Sequence, residues 1–198
     1  MKTAKKSILI VLSVIAITFI LCLLQYGIHS YNNPVEKEIH FTASGYIIWN
    51  PDNGEGEKVD VEVKGKSLSY IFKNHPEAVQ GDIFVNGQSI FGTVDDRDIG
   101  FYTEFRGLDF ACVGIKNHVP CEIVSLTKNF QSIVCGINLS SPVFGSGKTG
   151  WNGKGILVIP GNDLESAKET VKRAFSGSEQ MSHWLVENKW DKVVETGK

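Results

Sequence analysis

The cysteines are the residues of this chain whose type most directly permits chemistry. Three of the four, Cys112, Cys121 and Cys135, lie beyond residue 30, and the polar stretch 127–129 separates two β-prone runs. If that turn centres at Lys128, Cys121 and Cys135 each lie seven residues from it and face each other across the hairpin. Directly opposed residues have Cβ atoms ~4.5–5.5 Å apart, which is close to disulfide geometry. The spacing predicts a disulfide between Cys121 and Cys135, and leaves Cys112 as a small buried apolar residue.

The same thiol also permits a catalytic interpretation. A cysteine nucleophile needs a base that keeps its thiolate available, and His75 could supply it for Cys135. The chain's size, its single N-terminal apolar segment and its strand-borne Cys135 resemble the small, membrane-anchored β-barrel transpeptidases of the sortase kind. That resemblance implies a cysteine-dependent transpeptidase or hydrolase. Those enzymes also need an arginine shortly beyond the cysteine to stabilise the oxyanion, whereas here no arginine occurs between Arg106 and Arg173.

Other ligand-binding patterns are weak. Gly147-Lys148-Thr149 matches the end of a phosphate-binding loop, but the position five residues before Gly147, where that loop has glycine, is Pro142. Two acidic turns, residues 52–55 and 95–98, lack the spacing of a calcium loop and are typical of solvated hairpin ends. The histidines show no pair at metal-ligand spacing: His29, His40, His75, His118 and His183. We therefore expect no metal and no cofactor.

Trp151 is the candidate for contact with a ligand. It lies in the stretch 140–155, which contains five glycines and one proline and is predicted to be a long loop. Loops held by a rigid sheet are common recognition surfaces, and exposed tryptophan often dominates binding energy. The alternative is that Trp151 folds back and covers an open end of the sheet structure.

The elements that would position these residues begin with an apolar run from Ile8 to Leu24, extended to Ile28 by further apolar residues. At a rise of 1.5 Å per residue, residues 8–28 reach across a hydrocarbon core of ~30 Å, so we predict a transmembrane helix. The flank 1–7 contains three lysines, which predicts a cytoplasmic N-terminus. A cleaved signal peptide is the alternative, but the segment at the end of the apolar run, LQYGIHS, lacks the small-x-small cleavage pattern. Residues 29–38 are polar and are predicted to form a short stalk.

Residues 39–198 are predicted to form one extracytoplasmic β-rich domain. Val59, Val61 and Val63 alternate with acids, which indicates a strand with one solvated face in an antiparallel sheet. A turn is expected at residues 64–66, and Asn86-Gly87 predicts a β-hairpin with a type I′ turn. A helix is expected at about 162–176. The predicted fold class is therefore mainly β (α+β): an antiparallel meander of about eight strands, barrel or sandwich, with one C-terminal α-helix.

Composition restricts the function. The chain carries 20 Lys+Arg against 22 Asp+Glu, a formal net charge of −2, which argues against a nucleic-acid binder. Membrane lipid around residues 8–28 and an unknown protein or ligand outside the cell are the expected partners. The favoured interpretation is a single-pass membrane protein whose exterior domain is a non-catalytic binding or accessory module. The alternative is the exterior cysteine enzyme using Cys135 and His75; a third possibility is the same domain in secreted form.

Overall fold

In the part of the chain that the structure describes, the protein has an N-terminal helix, one large antiparallel sheet with a separate two-stranded ribbon, and two helices near the C-terminus. The computed structural model describes residues 2–50, 55–91, 93–94, 97–98, 100–105, 110–113, 121–127, 130, 132–139, 144, 153–175, 179–187 and 189–192. The helices are α1 (Lys2–Asn32), α2 (Leu164–Phe175) and α3 (Glu179–Glu187). The strands are β1 (Val35–Asn50), β2 (Glu55–Ser69), β3 (Glu77–Val85), β4 (Gln88–Ser89), β5 (Thr93–Val94), β6 (Arg97–Asp98), β7 (Phe101–Phe105), β8 (Phe110–Val113), β9 (Cys121–Thr127), β10 (Ile133–Asn138) and β11 (Lys154–Ile159).

Helix α1 is long and apolar enough to cross a membrane. The most apolar 18-residue window within Ile10–Asn32 has a mean hydropathy of 2.3, and none of that window is buried against the rest of the chain. The large apolar side chains from Ile10 to Ile28 are each 54–64% exposed, on every face of the helix. A helix in water normally hides one apolar stripe against a core, and α1 has no such packing along this stretch.

The end of α1 differs from the predicted boundary. The helix continues to Asn32 and β1 begins at Val35, so the residues expected to form a stalk at 29–38 are mostly helix and strand. Only Asn33 and Pro34 connect the two elements. Proline disfavours helical geometry in the residue before it, which explains why the helix ends here. The passage from helix to sheet is therefore short.

The large sheet has the order β4-β3-β2-β1-β11-β10-β9-β8, with β7 also paired to β3, and every ladder is antiparallel. Two consecutive meanders, β1 to β4 and β8 to β11, are joined because the last strand pairs with the first, Leu157 opposite Ile47. Among the described strands no ladder connects β7 to β8. The sheet is thus not closed into a barrel, and the mainly β, antiparallel fold class is confirmed.

Two strands are longer than the sequence pattern predicts. The turn expected at residues 64–66 is wrong, because β2 continues through Gly65 and its ladder with β3 runs from Val61 to Leu68. Strand β1, which the alternation did not reveal, pairs with β2 along nearly its whole length. The Asn86-Gly87 hairpin is confirmed: both residues have positive φ, 51° and 80°, and join β3 to β4.

The sheet separates two apolar layers. Its inner face buries one large cluster that draws side chains from both meanders, including Val63, Ile83 and Leu157. The opposite face of β1, β10 and β11 packs against α2 through Ile48, Val158 and other residues. Strands buried on both faces have continuous apolar sequences, and β11 is such a strand.

Helix α2 is amphipathic. Ala167, Val171 and Phe175 are buried against the sheet, while Glu169 and Arg173 form an ion pair at 4.0 Å on the exposed side. The N-cap is Asp163, whose Oδ1 accepts the Ser166 amide at 2.8 Å. That hydrogen bond is the main reason why the pKa of Asp163 is lowered. One C-terminal helix was expected at about 162–176, and the shorter α3 follows it.

Candidate functional site

One surface feature of the described residues is an open depression of about 720 Å³ where β1, β2, β3 and β7 meet. It is lined by polar and charged side chains, bare glycine backbone and a few aromatic rings. The lining residues are Glu38, Ile39, His40, Lys64, Gly65, Lys66, Gln80, Gly81, Asp82, Phe84, Gly100, Phe101 and Tyr102. We call this feature the β1–β3 depression.

Strand alternation explains the polar lining. In β2 the valines at 59, 61 and 63 are buried in the inner core, so Glu62 and Lys64 between them project to the opposite face. In β1 the same period places His40 opposite Lys64 across the ladder. The solvated face of this hairpin therefore carries a continuous band of charge.

Glycine shapes the floor of the β1–β3 depression. Gly65 and Gly81 face each other in the β2–β3 ladder. A Cβ on Gly65 would meet the backbone carbonyl oxygen of Gln80 and lie 3.0 Å from Cα of Gly81. A Cβ on Gly100, where φ is +60°, would lie 2.6 Å from the carbonyl oxygen of Gly81. The two strands thus approach in a way that no other residue type allows, and peptide groups line the depression directly.

An ion-pair cluster borders the depression. Glu62 lies between two donors: its Oε1 is 2.7 Å from His40 Nε2 and its Oε2 is 2.9 Å from Lys64 Nζ. The hydrogen bond from Lys64, and after it the one from His40, lowers the pKa of the Glu62 carboxyl. All three groups are at least partly exposed, so solvent weakens their attraction. The carboxylate fixes the direction of two cationic or hydrogen-bonding side chains at the surface.

A second pair extends this band toward α1. Lys66 Nζ donates to Glu36 Oε2 at 2.7 Å, which raises the pKa of Lys66. Lys64 Nζ also lies 4.9 Å from the centre of the Phe84 ring, within cation–π distance. The depression therefore presents two oriented ammonium groups beside an aromatic ring.

The opposite wall contains Tyr102, which is 54% exposed and whose hydroxyl donates to Glu104 Oε1 at 3.3 Å. Partial burial, followed by the charge of Glu104, raises the pKa of Tyr102. Asp82 is buried nearby, and its Oδ1 accepts the Ile83 amide at 2.7 Å and the Ser89 hydroxyl at 2.8 Å. Those bonds hold β4 onto β3, which gives Asp82 a structural role.

This arrangement offers charge, hydrogen bonding and aromatic contact on an open surface. The charged side chains of the depression pair with one another and remain exposed to water. Catalytic groups, in contrast, are usually partly desolvated, and their pKa values are shifted toward neutral pH. Among the described residues, no group of three or more His, Cys, Asp or Glu side chains could hold a metal ion. The described geometry is that of an open, charged depression.

The register of the β9–β10 hairpin differs from the predicted one. Cys135 lies opposite Ile123, and Cys121 lies opposite Ile137, because this part of the ladder is symmetric about position 129 and not about position 128. The predicted register, which placed Cys121 opposite Cys135, is wrong, and Cys135 is a free thiol. The proposed disulfide thus lacks the direct cross-strand geometry on which its prediction depended.

The structure does not bring Cys135 and His75 together. Cys135 is fully buried in the inner core, beside Leu157 of β11, which in turn lies opposite Ile47 of β1. His75 is exposed in the β2–β3 loop, with its ring 4.6 Å from that of Tyr70. That loop follows the end of β2 that pairs with Val35, roughly 40 Å along β1 from Ile47 at about 3.3 Å per residue.

Some predicted residues lie outside the described part of the chain. Trp151, the ligand-contact candidate, is outside it, as are residues 145–150 with the Gly147-Lys148-Thr149 motif. The structure describes the backbone of the strands that carry Cys112 and Cys121 but not those two side chains. The β1–β3 depression was not predicted, because the sequence pattern gave no strand at residues 39–50 and so no neighbour for β2.

No family model, curated protein or solved structure matches this chain. The functional interpretation is therefore built on the geometry described above.

Proposed function

We propose that the protein is a single-pass membrane protein that presents its β-rich domain outside the cytoplasm as a non-catalytic binding module. The observation that carries the proposal is α1, which contains within Ile10–Asn32 an 18-residue window of mean hydropathy 2.3 with no burial in the chain. Leaving so many apolar side chains in water would cost more free energy than the small net stability of a folded protein. A bilayer is the solvent that removes that cost.

The orientation follows from charge. Lys2, Lys5 and Lys6 precede the span, and the next lysine is Lys37. Basic flanks resist translocation, which supports a cytoplasmic N-terminus and an exterior domain. Membrane lipid around α1 is then the first partner of the protein.

The binding role rests on the β1–β3 depression. Its oriented ammonium groups, paired carboxylates and exposed aromatic rings are suited to a charged or polar partner, either a protein or another ligand. A cofactor is not needed for such a role.

Anchoring is tested with the untagged full-length chain expressed in cells. We expect it to stay in the membrane fraction after alkaline carbonate extraction, to have the mass of the uncleaved chain, and to lose its β-rich domain when intact cells are treated with protease. A mass lacking about the first 30 residues would indicate a removed signal sequence. Protection from external protease would overturn the orientation.

Binding is tested by cross-linking the full-length protein in native membranes and comparing two charge reversals on β2. Lys66→Glu alters the β1–β3 depression, whereas Lys58→Glu changes a lysine of the same strand and face that does not line it. We expect cross-linked species present in the wild type and in Lys58→Glu to be lost in Lys66→Glu. Equal cross-linking in all three proteins would contradict the proposed binding surface.

A further inference from the structure

A second apolar feature lies at the end of α1. In the β2–β3 loop the Lys73 amide donates to the Tyr70 carbonyl at 3.0 Å, closing a turn with Ile71 and Phe72 at its tip. These two side chains are 53% and 54% exposed. Turn tips usually carry glycine, asparagine, aspartate or proline. Two large apolar residues at such a position therefore need an explanation.

The turn is fixed against the last turn of α1. The ring centres of Phe72 and Tyr31 are 6.1 Å apart, and Asn74 Nδ2 donates to the Tyr31 carbonyl oxygen at 2.8 Å. Ser30, one residue earlier, is buried. The loop and the helix end therefore occupy the same level along the α1 axis.

Exposed apolar surface concentrates at this level. Beyond Ile28, the described large apolar side chains that remain exposed are Tyr31, Val35, Ile71, Phe72, Tyr102 and Val186. Val35 pairs with Ser69 at the end of the β1–β2 ladder that leads into the turn. Four of these six residues thus lie around the exit of α1, and we call Tyr31, Val35, Ile71 and Phe72 the exit patch.

Side-chain amides also donate hydrogen bonds to carbonyl groups at the end of α1. The last carbonyls of a helix lack intrahelical donors. Here the Asn74 side-chain amide donates to the Tyr31 carbonyl at 2.8 Å, and the His29 carbonyl accepts from both the backbone amide and the side-chain amide of Asn33 at 2.9 Å. Polar groups without such donors are costly where water is scarce.

We propose that the exit patch inserts into the interfacial region of the same bilayer that α1 crosses, as a second membrane contact. The inference rests on the anchoring proposed above. If hydrocarbon ends near Ile28, Tyr31 lies three residues further, about 4.5 Å at 1.5 Å per residue, within the headgroup zone that aromatic side chains favour. Phe72 lies beside Tyr31 at that depth, and Lys73 follows with an exposed cation suited to lipid phosphates.

The contact would fix the orientation of the domain. A single helix lets an attached domain rotate and tilt, whereas two separated contacts restrict both movements. The β1–β3 depression would then face a defined direction relative to the membrane surface.

The test uses the full-length chain in vesicles of phosphatidylcholine and phosphatidylglycerol, with or without bromine atoms near the headgroup end of the acyl chains. Phe72→Trp places an indole in the exit patch, and Ile71→Trp serves as a second variant should the first fold poorly. Tyr102→Trp is the matched control, since Tyr102 is as exposed as Phe72 but lines the depression. The emission of the wild-type tryptophans is subtracted.

We expect brominated lipid to quench the added emission of Phe72→Trp and Ile71→Trp, but not that of Tyr102→Trp. If neither exit-patch indole is quenched while the protein resists alkaline extraction, the second contact is overturned and the anchor remains. Equal quenching of the control indole would also overturn it, because the contact would not be specific to the patch. If alkali extracts the protein, anchoring and the second contact both fail.

Discussion

At the scale of single residues, Glu62 organises the edge of the β1–β3 depression. It holds His40 and Lys64 in fixed directions, and their hydrogen bonds keep its pKa below the ordinary value in the folded chain. A carboxyl with a lowered folded-state pKa stabilises the fold fully above its unfolded pKa, and that contribution disappears as the pH falls through the lowered value. Acid should therefore loosen this cluster.

We predict that carbon-detected NMR will place the titration of Glu62 at lower pH than that of an ordinary glutamate. Lys64→Met should move the titration upward, and His40→Gln should move it upward by less, because the lysine hydrogen bond is the larger cause. A titration that both substitutions leave unchanged would contradict the ion-pair geometry.

Cys135 has a packing role at the same scale. Its side chain is 0% exposed within the inner core. We predict that a thiol reagent modifies it only when the domain unfolds, as peptide mass spectrometry would show. Cys135→Ser should lower the free energy of unfolding by about 1–3 kcal/mol, because it buries a hydroxyl in apolar surroundings. Rapid modification of Cys135 in the folded protein would instead indicate an accessible, reactive thiol.

At the scale of elements, the β2–β3 ladder depends on its facing glycines. Gly65→Ala would place a Cβ against the Gln80 carbonyl, and Gly81→Ala would place one 2.8 Å from Cα of Gly65. We predict that each change costs about 1–3 kcal/mol of unfolding free energy, since overpacking forces the backbone to shift. Urea unfolding of the detergent-solubilised chain, followed by tryptophan emission, measures the cost.

Gly27→Ala is the control for these two substitutions. Apart from Gly27, its chain neighbours and the nearby backbone of its own helix, no described heavy atom lies within 4 Å of a Cβ built on Gly27. Its unfolding midpoint should not fall below that of the wild type, because the added methyl group meets no steric conflict and alanine favours the helix. Should Gly65→Ala and Gly81→Ala match it as well, the two strands approach less closely than described.

Sequence pattern predicted some elements well and others poorly, for identifiable reasons. The apolar run of α1, the Asn86-Gly87 hairpin and the helix after residue 162 each carry a strong local signal, and all three are present. Strand β1 was missed because Thr42, Ser44 and Gly45 weaken its alternation. Gly65 suggested a turn between lysines, but its pairing with Gly81 keeps it in a strand.

The candidate site was harder to predict because it depends on pairing between distant residues. His40 and Glu62 are separated by 22 positions and meet only through the β1–β2 register. The predicted cysteine register was wrong for a similar reason, since the β9–β10 ladder around Cys135 is symmetric about position 129, one residue beyond the turn centre assumed from the sequence. Residue types indicated a charged face on β2, but not the partners of that face.

At the scale of the whole molecule, Asn74 connects the helix to the sheet domain. Its amide donates to the Tyr31 carbonyl at 2.8 Å, across a linker of only Asn33 and Pro34. We predict that Asn74→Asp, which keeps the size but removes the donor, increases the rate of chymotrypsin cleavage after Tyr31 in detergent micelles. Proteases cut where the backbone opens locally.

Lys73→Ala, in the same turn, is the control for this prediction. It keeps the Asn74 amide and should leave cleavage after Tyr31 at the wild-type rate. Similar cleavage of the wild type and Asn74→Asp would show that this hydrogen bond does not hold the helix end in place.

The pairing of the last strand with the first has a consequence for biogenesis. During synthesis the chain emerges from its N-terminal end, so Tyr46, Ile47 and Ile48 appear about a hundred residues before their partners Val158, Leu157 and Ile156. One edge of the early hairpin stays open for that whole interval, which is a known route to misassembly. A chain truncated before residue 154 should therefore remain vulnerable to aggregation after it crosses the membrane, and chaperone capture on that side should be lower for the chain that contains the final strand.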